Sequence, residues 1–333
     1  MLAATLILLT AVLLDAAIGD PAYPLHPVRL MGKTISTTEA ILRGIRLSGF
    51  LGGALLLTSL LALFGGGTYL LLTETNKTSW VLEAVFAAFL LYSSIALTDM
   101  FNHAYPVAQS LQQQDLTLAR EEVQKIVARD ANLLNEKGVA RAAVESVAEG
   151  FVDGFLSPLF WFSGGAALTA LTGLDPVAGG ITAAISFRVT NTLDSMVGYR
   201  NERYEHFGTA SARFDDILNF LPARLAIPIL SMGAFLTGMD AEACWRTGLR
   251  DRLKHASPNS GHAESCVAGA LGIRLGGPTT YPHGTVDKPW LGDQSGTIDA
   301  ESIERCCKLI RAGGWISLLL FLAALQAVHF AGF

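Results

Sequence analysis

Charge is what this sequence has least of. Its 24 Lys and Arg and 29 Asp and Glu make up only 16% of 333 residues, where a soluble domain carries roughly a quarter. The formal net charge of −5 leaves no basic excess for a nucleic-acid surface, which needs clustered Lys and Arg to displace counterions. Cysteine is scarce as well: Cys244, Cys266, Cys306 and Cys307 show neither zinc-type pairing nor a disulfide framework. No HExxH, paired CxxC, GxSxG or GxGxxG occurs, so zinc-protease, serine-hydrolase and dinucleotide-binding readings lack support. Gly32-Lys33-Thr34 resembles the end of a phosphate loop, but Pro27 stands where its first glycine belongs and no strand precedes it. No low-complexity linker and no internal repeat is present. The chain therefore reads as a single integral domain over residues 1–333.

What the sequence has in abundance is apolar surface, 51% of residues at a mean hydropathy of +0.40. The apolar residues come in runs long enough to cross a bilayer, which takes about 20 residues of helix. Residues 47–72 hold no charge over 26 positions, residues 154–174 none over 21, and residues 312–333 only His329 over 22. Residues 80–98 carry one acid, Glu83. Residues 1–14 resemble a signal-peptide core, yet they lack a basic start and run into Asp15 and Asp20, so they are read as a retained span. Residues 176–187 are short and glycine-rich, and residues 217–239 contain Pro222, Arg224 and Pro228.

Charge placement orients these runs. If residues 19–46, 101–153, 188–216 and 239–311 all face the cytoplasm, they gather 22 of the 24 basic residues, as the positive-inside rule requires. The run at 176–187 must then return the chain inward, and 217–239 must dip in and come back on the same side. Such backbone is tolerated only where protein or water covers it. The expectation is an all-α polytopic protein of the cell membrane, with about six spans and a proline-broken re-entrant segment. Its polar segments 101–153, 188–216 and 239–311 would lie on the cytoplasmic face.

Three polar segments carry residue types that anchoring alone does not need. In residues 129–154, Arg141, Glu145, Glu149 and Asp153 follow one another at i, i+4 on a helix starting near Gly138. Arg141 and Glu145 form a stabilising pair, whereas Glu145, Glu149 and Asp153 repel unless a cation such as Mg²⁺ sits between them. The alternative is a solvated acidic face. In residues 191–219, Asn191 and Asp194 offer oxygens on one side of a helix, and Asp215 and Asp216 return a second carboxylate pair. Arg200, Arg203 and Arg213 supply donors for phosphate or carboxylate. Ionisable residues so near a bilayer are costly unless they face a polar cavity. In residues 254–278, Lys254 and His255 precede a turn at 257–261 containing Asn259, which would open a helix and favour an anion. Arg274 precedes Gly276-Gly277-Pro278. His26 and Arg29 lie on a proline-fixed hook after the first span.

Read together, LLDAAIGDPAYPLHPVRLMGK, RDANLLNEKGVARAAVESVAEGFVDGFLSPLFW, NTLDSMVGYRNERYEHFGTASARFDDILNFLPARL and KHASPNSGHAESCVAGALGIRLGGP resemble the CobD/CbiB family of adenosylcobinamide-phosphate synthases. The matches run in order from roughly residue 10 to 292. Two positions depart from the family pattern: Gly150 stands where Asn is usual, and His262-Ala263 where Trp followed by Pro or Ser is common. The resemblance implies a cytoplasmic-face enzyme that uses ATP and Mg²⁺ to join the free propionate of adenosylcobyric acid to aminopropanol phosphate or aminopropanol. On these residues the expected assignment is Mg²⁺ held by Glu145, Glu149, Asp153, Asn191 and Asp194. Arg200, Arg203, Arg213, Lys254, Arg274, His26 and Arg29 would grip phosphates or corrin carboxylates. His255 or Asp216 would be the base, with Asn259 orienting substrate.

Two other functions compete. Asn191, Asp194, Asp215 and Asp216 resemble the paired Mg²⁺-diphosphate ligands of intramembrane prenyl transferases, which would require a long apolar tunnel. A non-catalytic corrinoid transporter or scaffold would explain the spans but not the carboxylate- and Arg-rich segments. Whether protomers pair through the small-residue helices is open.

Overall fold

The computed structural model describes residues 1–21, 23–199, 201–281, 284–293 and 296–332. Almost every described element is a helix; the described strands form two small antiparallel ladders, Leu275–Gly276 with Trp290–Leu291 and Thr279–Tyr281 with Gly284–Val286. Among the described residues four helices are long and apolar enough to cross a membrane: Phe50–Thr78, Trp80–Gln112, Glu136–Leu171 and Ala300–Phe330. Thr209–Leu218 and Phe220–Leu236 qualify as a fifth only as one bent pair, broken at Asn219 ahead of Pro222. Phe50, Leu51, Leu63 and Leu70 on the first of these are exposed, a costly outer face in water and a natural one in lipid.

The sequence expectation of about six spans differs from this set at two helices. Leu2–Ile18 has 17 residues, about 25 Å of helix against a hydrocarbon core of about 30 Å. Pro176–Val197 runs for 22 residues, well past the expected 187, but its second half carries Arg188, Asn191 and Asp194.

The chain forms two compact units, one from residues 1–96, 157–219 and 318–333, the other from residues 97–156 and 220–317. In the first, Ser157–Leu171 and Pro176–Val197 pack as an antiparallel pair through small residues. A Cβ on Gly165 would lie 2.7 Å from both the Ala183 Cβ and the Gly179 carbonyl, and one on Gly180 2.8 Å from the Phe162 carbonyl. Close backbone approach of this kind is how helices associate where lipid offers no hydrophobic drive. The second helix starts on Asp175, whose carboxylate accepts from the Val177 amide at 2.9 Å, with Pro176 at its first position.

The second unit is built round Ser260–Leu271. This helix has no polar face and eleven of its twelve residues are buried, which is the state expected of a helix surrounded on all sides. It packs on Phe220–Leu236, Ala241–Asp251 and Glu136–Phe151. The closest crossing is at Gly269, where a Cβ would lie 2.3 Å from the Ala243 carbonyl. The helix ends at Gly272, in the left-handed region at φ 68°. Glu136–Phe151 begins two residues before Gly138, because Asn135 caps it by accepting from the Gly138 amide at 2.8 Å. It passes into a π-helical turn at Val152–Leu156 that carries Asp153.

Candidate functional site

The second unit holds a cavity of about 450 Å³ where the Glu136–Phe151 helix faces the start of Ser260–Leu271. Glu145, Glu149, Glu264 and Asp287 contribute acidic groups to its wall, and Arg129, Lys254, Lys288 and His255 basic ones. Glu145 and Glu149 are presented one turn apart on the same helical face.

Local structure sets each of these groups. Gln124 shapes the loop before the helix: its amide donates to the Val127 and Arg129 carbonyls at 3.1 Å each, and its carbonyl accepts from the Ala131 amide at 2.8 Å. The loop so formed brings Arg129 into an ion pair with Glu145. The other Glu145 oxygen accepts from the Gly276 amide at 2.7 Å. The sequence expectation of an Arg141–Glu145 pair is thereby corrected. Arg141 instead donates to the Gly276 carbonyl at 3.0 Å and stacks 4.7 Å from the centre of Trp290, since the strand at 275–276 supplies better partners than the next helical turn. Glu149 accepts from the Ser260 hydroxyl at 3.0 Å, joining the two segments at the cavity wall.

Lys254 is held by a carboxylate that sequence reasoning passed over. Asp251 is fully buried; it accepts from Lys254 Nζ at 2.6 Å, from Arg250 Nε and Nη2 at 2.8 Å each, and from the Gly292 amide at 2.9 Å. Burial alone would raise its pKa, but these hydrogen bonds outweigh it and hold the group well below the usual carboxylate range.

Glu264 was also passed over. Its side chain is only 6% exposed, and its nearest ionic neighbour is His255 Nε2 at 4.0 Å. Burial, reinforced by the negative charges of Glu145 and Glu149, pushes its pKa well above the ordinary value. His255 Nδ1 accepts from the Ser257 amide at 3.0 Å. In the neutral ring this assigns the proton to Nε2, directed toward Glu264. Burial lowers the His255 pKa, so the neutral ring is the form favoured at pH 7.

The remaining sequence candidates are distributed as follows. Asn259 caps Ser260–Leu271 as its preceding residue, is buried, and offers its backbone carbonyl to the His262 amide at 3.1 Å. Asp153 is not among the cavity-lining residues. Arg274 lines a separate, smaller pocket with Trp290. Asn191, Asp194, Arg203, Arg213, Asp216, His26 and Arg29 belong to the first unit, and Arg200 lies outside the described residues.

In that unit, Asp215 rather than Asp216 is the buried member of the pair. It accepts from Asn191 Nδ2 at 3.4 Å and Asn219 Nδ2 at 2.9 Å, while Arg188 donates to Asn191 Oδ1 at 3.2 Å. Arg203 pairs with Glu39 at 3.0 Å, and the same carboxylate binds Arg43 at 2.7 Å. His26 pairs with Asp20 at 2.8 Å and accepts from the Val28 amide. Arg29 and Arg213 are exposed.

Among the described residues no three His, Cys, Asp or Glu side chains stand close enough to cage a cation. The cavity nevertheless fits Mg²⁺ by its donor chemistry. That ion is usually held by one or two carboxylates with the rest of its shell left to phosphate and water, and the crowding of Glu145, Glu149 and Glu264 is an electrostatic cost that a cation relieves.

A family model described as CobD/Cbib protein matches residues 8–310. The cobalamin biosynthesis protein CobD of Klebsiella pneumoniae is 38% identical over 313 residues, covering 93% of this chain and 94% of that protein. CobD of Geobacter metallireducens is 38% identical over 320 residues and covers 96% of each. The cobalamin biosynthesis protein CbiB of Salmonella choleraesuis is 37% identical over 316 residues, covering 93% and 94%. No solved structure matches.

Proposed function

This chain belongs to the CobD/CbiB family, and from that premise we propose that it acts in cobalamin biosynthesis as an ATP- and Mg²⁺-dependent amide synthase of the cell membrane. It joins the free propionate of adenosylcobyric acid to (R)-1-aminopropan-2-ol phosphate, or to the free amino alcohol, at its cytoplasmic face. The observation that carries this reading is the mixed-sign cavity, in which Glu145, Glu149 and Glu264 face Arg129, Lys254, Lys288 and His255.

A carboxylate is a poor acyl donor, so the reaction needs an activated acyl group before the amine attacks. In this scheme the propionate oxygen takes the γ-phosphoryl group of ATP with departure of ADP. The amine nitrogen then displaces phosphate to form the amide. Phosphoryl transfer asks a protein mainly for positioning and charge neutralisation. Lys254, fixed by Asp251, and Lys288 and Arg129 provide the positive side. Glu149 and Glu145 would hold Mg²⁺, which when bound neutralises phosphate charge. Asp153 remains a candidate for the same role.

The second step needs a base for the ammonium group of the amine. His255 has Nδ1 occupied by the Ser257 amide, so in this geometry it donates from Nε2. We therefore assign the base to Glu264, whose raised pKa makes it a stronger proton acceptor than an ordinary carboxylate. His255 orients it.

The cavity also bears on the competing readings. A pocket rich in both signs suits phosphates and a carboxylate better than a polyprenyl chain, and a scaffold has no need of it. Purified protein supplied with adenosylcobyric acid, the amino alcohol phosphate, ATP and Mg²⁺ should form the amide, read by mass spectrometry. Glu149→Ala should raise the Mg²⁺ concentration needed for half-maximal rate by about tenfold or more. Full activity of Glu149→Ala at limiting Mg²⁺ would remove Glu149 from the metal site.

A further inference from the structure

A second pocket in the same unit has a composition of its own. Its volume is about 210 Å³, and Lys137, Arg141, Arg274, Trp290, Thr297 and Ile298 contribute to its wall. That is below the roughly 300–1,000 Å³ of sites for drug-sized molecules and suits a small ion or monoester. The Arg141 and Arg274 guanidinium groups lie 4.7 and 5.7 Å from the centre of the Trp290 ring.

Two guanidinium groups thus flank one indole, with Lys137 in the same pocket wall, and the one opposing charge acting on Arg141 is that of Glu145. Among the described residues none of the three forms an ion pair; Glu145, one helical turn from Arg141, is engaged by Arg129 and the Gly276 amide. The Nε atoms of Arg141 and Arg274 are both buried without a hydrogen-bond partner, an unusual condition for charged donors in a folded protein. The ring face offsets some of the charge, but it accepts nothing in the guanidinium plane.

The backbone is shaped to keep this arrangement. Gly276 and Gly277 have φ of 71° and 75°, and a Cβ on Gly277 would lie 2.4 Å from the Trp290 ring. Lys137 stands in the first turn of the Glu136–Phe151 helix, where the helix dipole adds to the positive field.

The geometry points to a dedicated site for a phosphate group, carried either as inorganic phosphate or as a small phosphate monoester. Arg141 and Arg274 are its fork-shaped donors and Lys137 its point charge. The site is distinct from the larger cavity and does not rest on the amide-synthase reading. It is nevertheless joined to that cavity through one residue: Arg141 donates to the Gly276 carbonyl at 3.0 Å, and the Gly276 amide donates to Glu145 at 2.7 Å. An anion that fixes Arg141 therefore also steadies the strand that orients Glu145.

The test is calorimetric titration of the full-length protein in detergent micelles with inorganic phosphate and with methyl phosphate. Saturable binding is expected, weakened about tenfold or more by Arg274→Gln and by Lys137→Gln, and changed less than about twofold by Lys308→Gln, an exposed lysine that lines neither pocket. Lys137 is exposed, so its replacement leaves packing intact even if Arg274→Gln disturbs it. Phosphate should also alter tryptophan emission in the wild type and not in Trp290→Phe. Affinity unchanged in both Arg274→Gln and Lys137→Gln, or lost in Lys308→Gln instead, would overturn the site. An emission change that persists in Trp290→Phe would do the same. Tighter binding of methyl phosphate identifies a monoester as the occupant and tighter binding of phosphate the free ion; both results sustain the site.

Discussion

Glu264 sits where an apolar helix would ordinarily place a small hydrophobic residue, and its chemistry follows from that position. The sequence signal for it is a single acid within SGHAESCVAGAL, a run otherwise dominated by small residues. Burial and the facing Glu145 and Glu149 raise its pKa, so the carboxylate needed as base forms only as pH rises past the ordinary range for glutamate. The rate of amide formation should therefore have an acid limb displaced upward from that of a free glutamate. In Glu264→Gln that limb should vanish along with about 10²–10⁴ of the rate. A pH–rate profile of Glu264→Gln matching the wild type would rule it out as the base.

His262 gives a second test at this scale, on stability rather than rate. It is fully buried, and burial, with the nearby Arg224 charge, lowers its pKa to about 4. Its folded value is below its unfolded value, so its contribution is complete above the unfolded pKa and is lost as pH falls from about 6.5 toward 4. The loss amounts to at most about 3 kcal/mol. His262→Asn should flatten the fall in Tm over that interval; an unchanged slope would contradict the assignment.

Elements were read from the sequence better than their partners were. The apolar runs at 47–72, 80–98, 154–174 and 312–333 each lie mostly within one of the long helices, because length and hydropathy are local properties. Pairing is not local. The period of a helix suggests Arg141 for Glu145, yet a loop folded by Gln124 delivers Arg129, sixteen residues away. The same holds for Asp251, which the sequence shows only as a charge beside Arg250 and which the fold makes the anchor of Lys254. Two of the three polar segments, 129–154 and 254–278, line one cavity; the third, 191–219, builds its own network round Asp215.

Helix packing offers a test of its own. The pair Ser157–Leu171 and Pro176–Val197 approaches through Gly165, Gly179 and Gly180, which leaves no room for larger side chains. Gly180→Leu should cost about 1–3 kcal/mol or more through overpacking, read as a lower Tm in detergent. Gly164→Leu, where a Cβ meets nothing within 4 Å, should have little effect. Equal melting of the two variants would contradict the close packing.

For the whole molecule, the scarce charge acquires a meaning that composition could not supply. In the proposed topology, Lys and Arg placement puts the segment bearing Lys254 and His255 on the cytoplasmic side, where ATP is found. The four native cysteines are buried, so a cysteine introduced at Ser257 or Lys288 should be the one labelled, and labelled only when reagent reaches the cytoplasmic face. Labelling from the outside in intact cells would reverse the topology and remove ATP as co-substrate.

Activation of the carboxylate for amide formation leaves a mark that isotope transfer reads. Purified full-length protein is supplied with adenosylcobyric acid carrying ¹⁸O in its free propionate, together with amino alcohol phosphate, ATP and Mg²⁺. The account expects the amide product and one ¹⁸O in the inorganic phosphate released with it. Absence of amide under these conditions, or amide formed without ¹⁸O reaching phosphate, would contradict it.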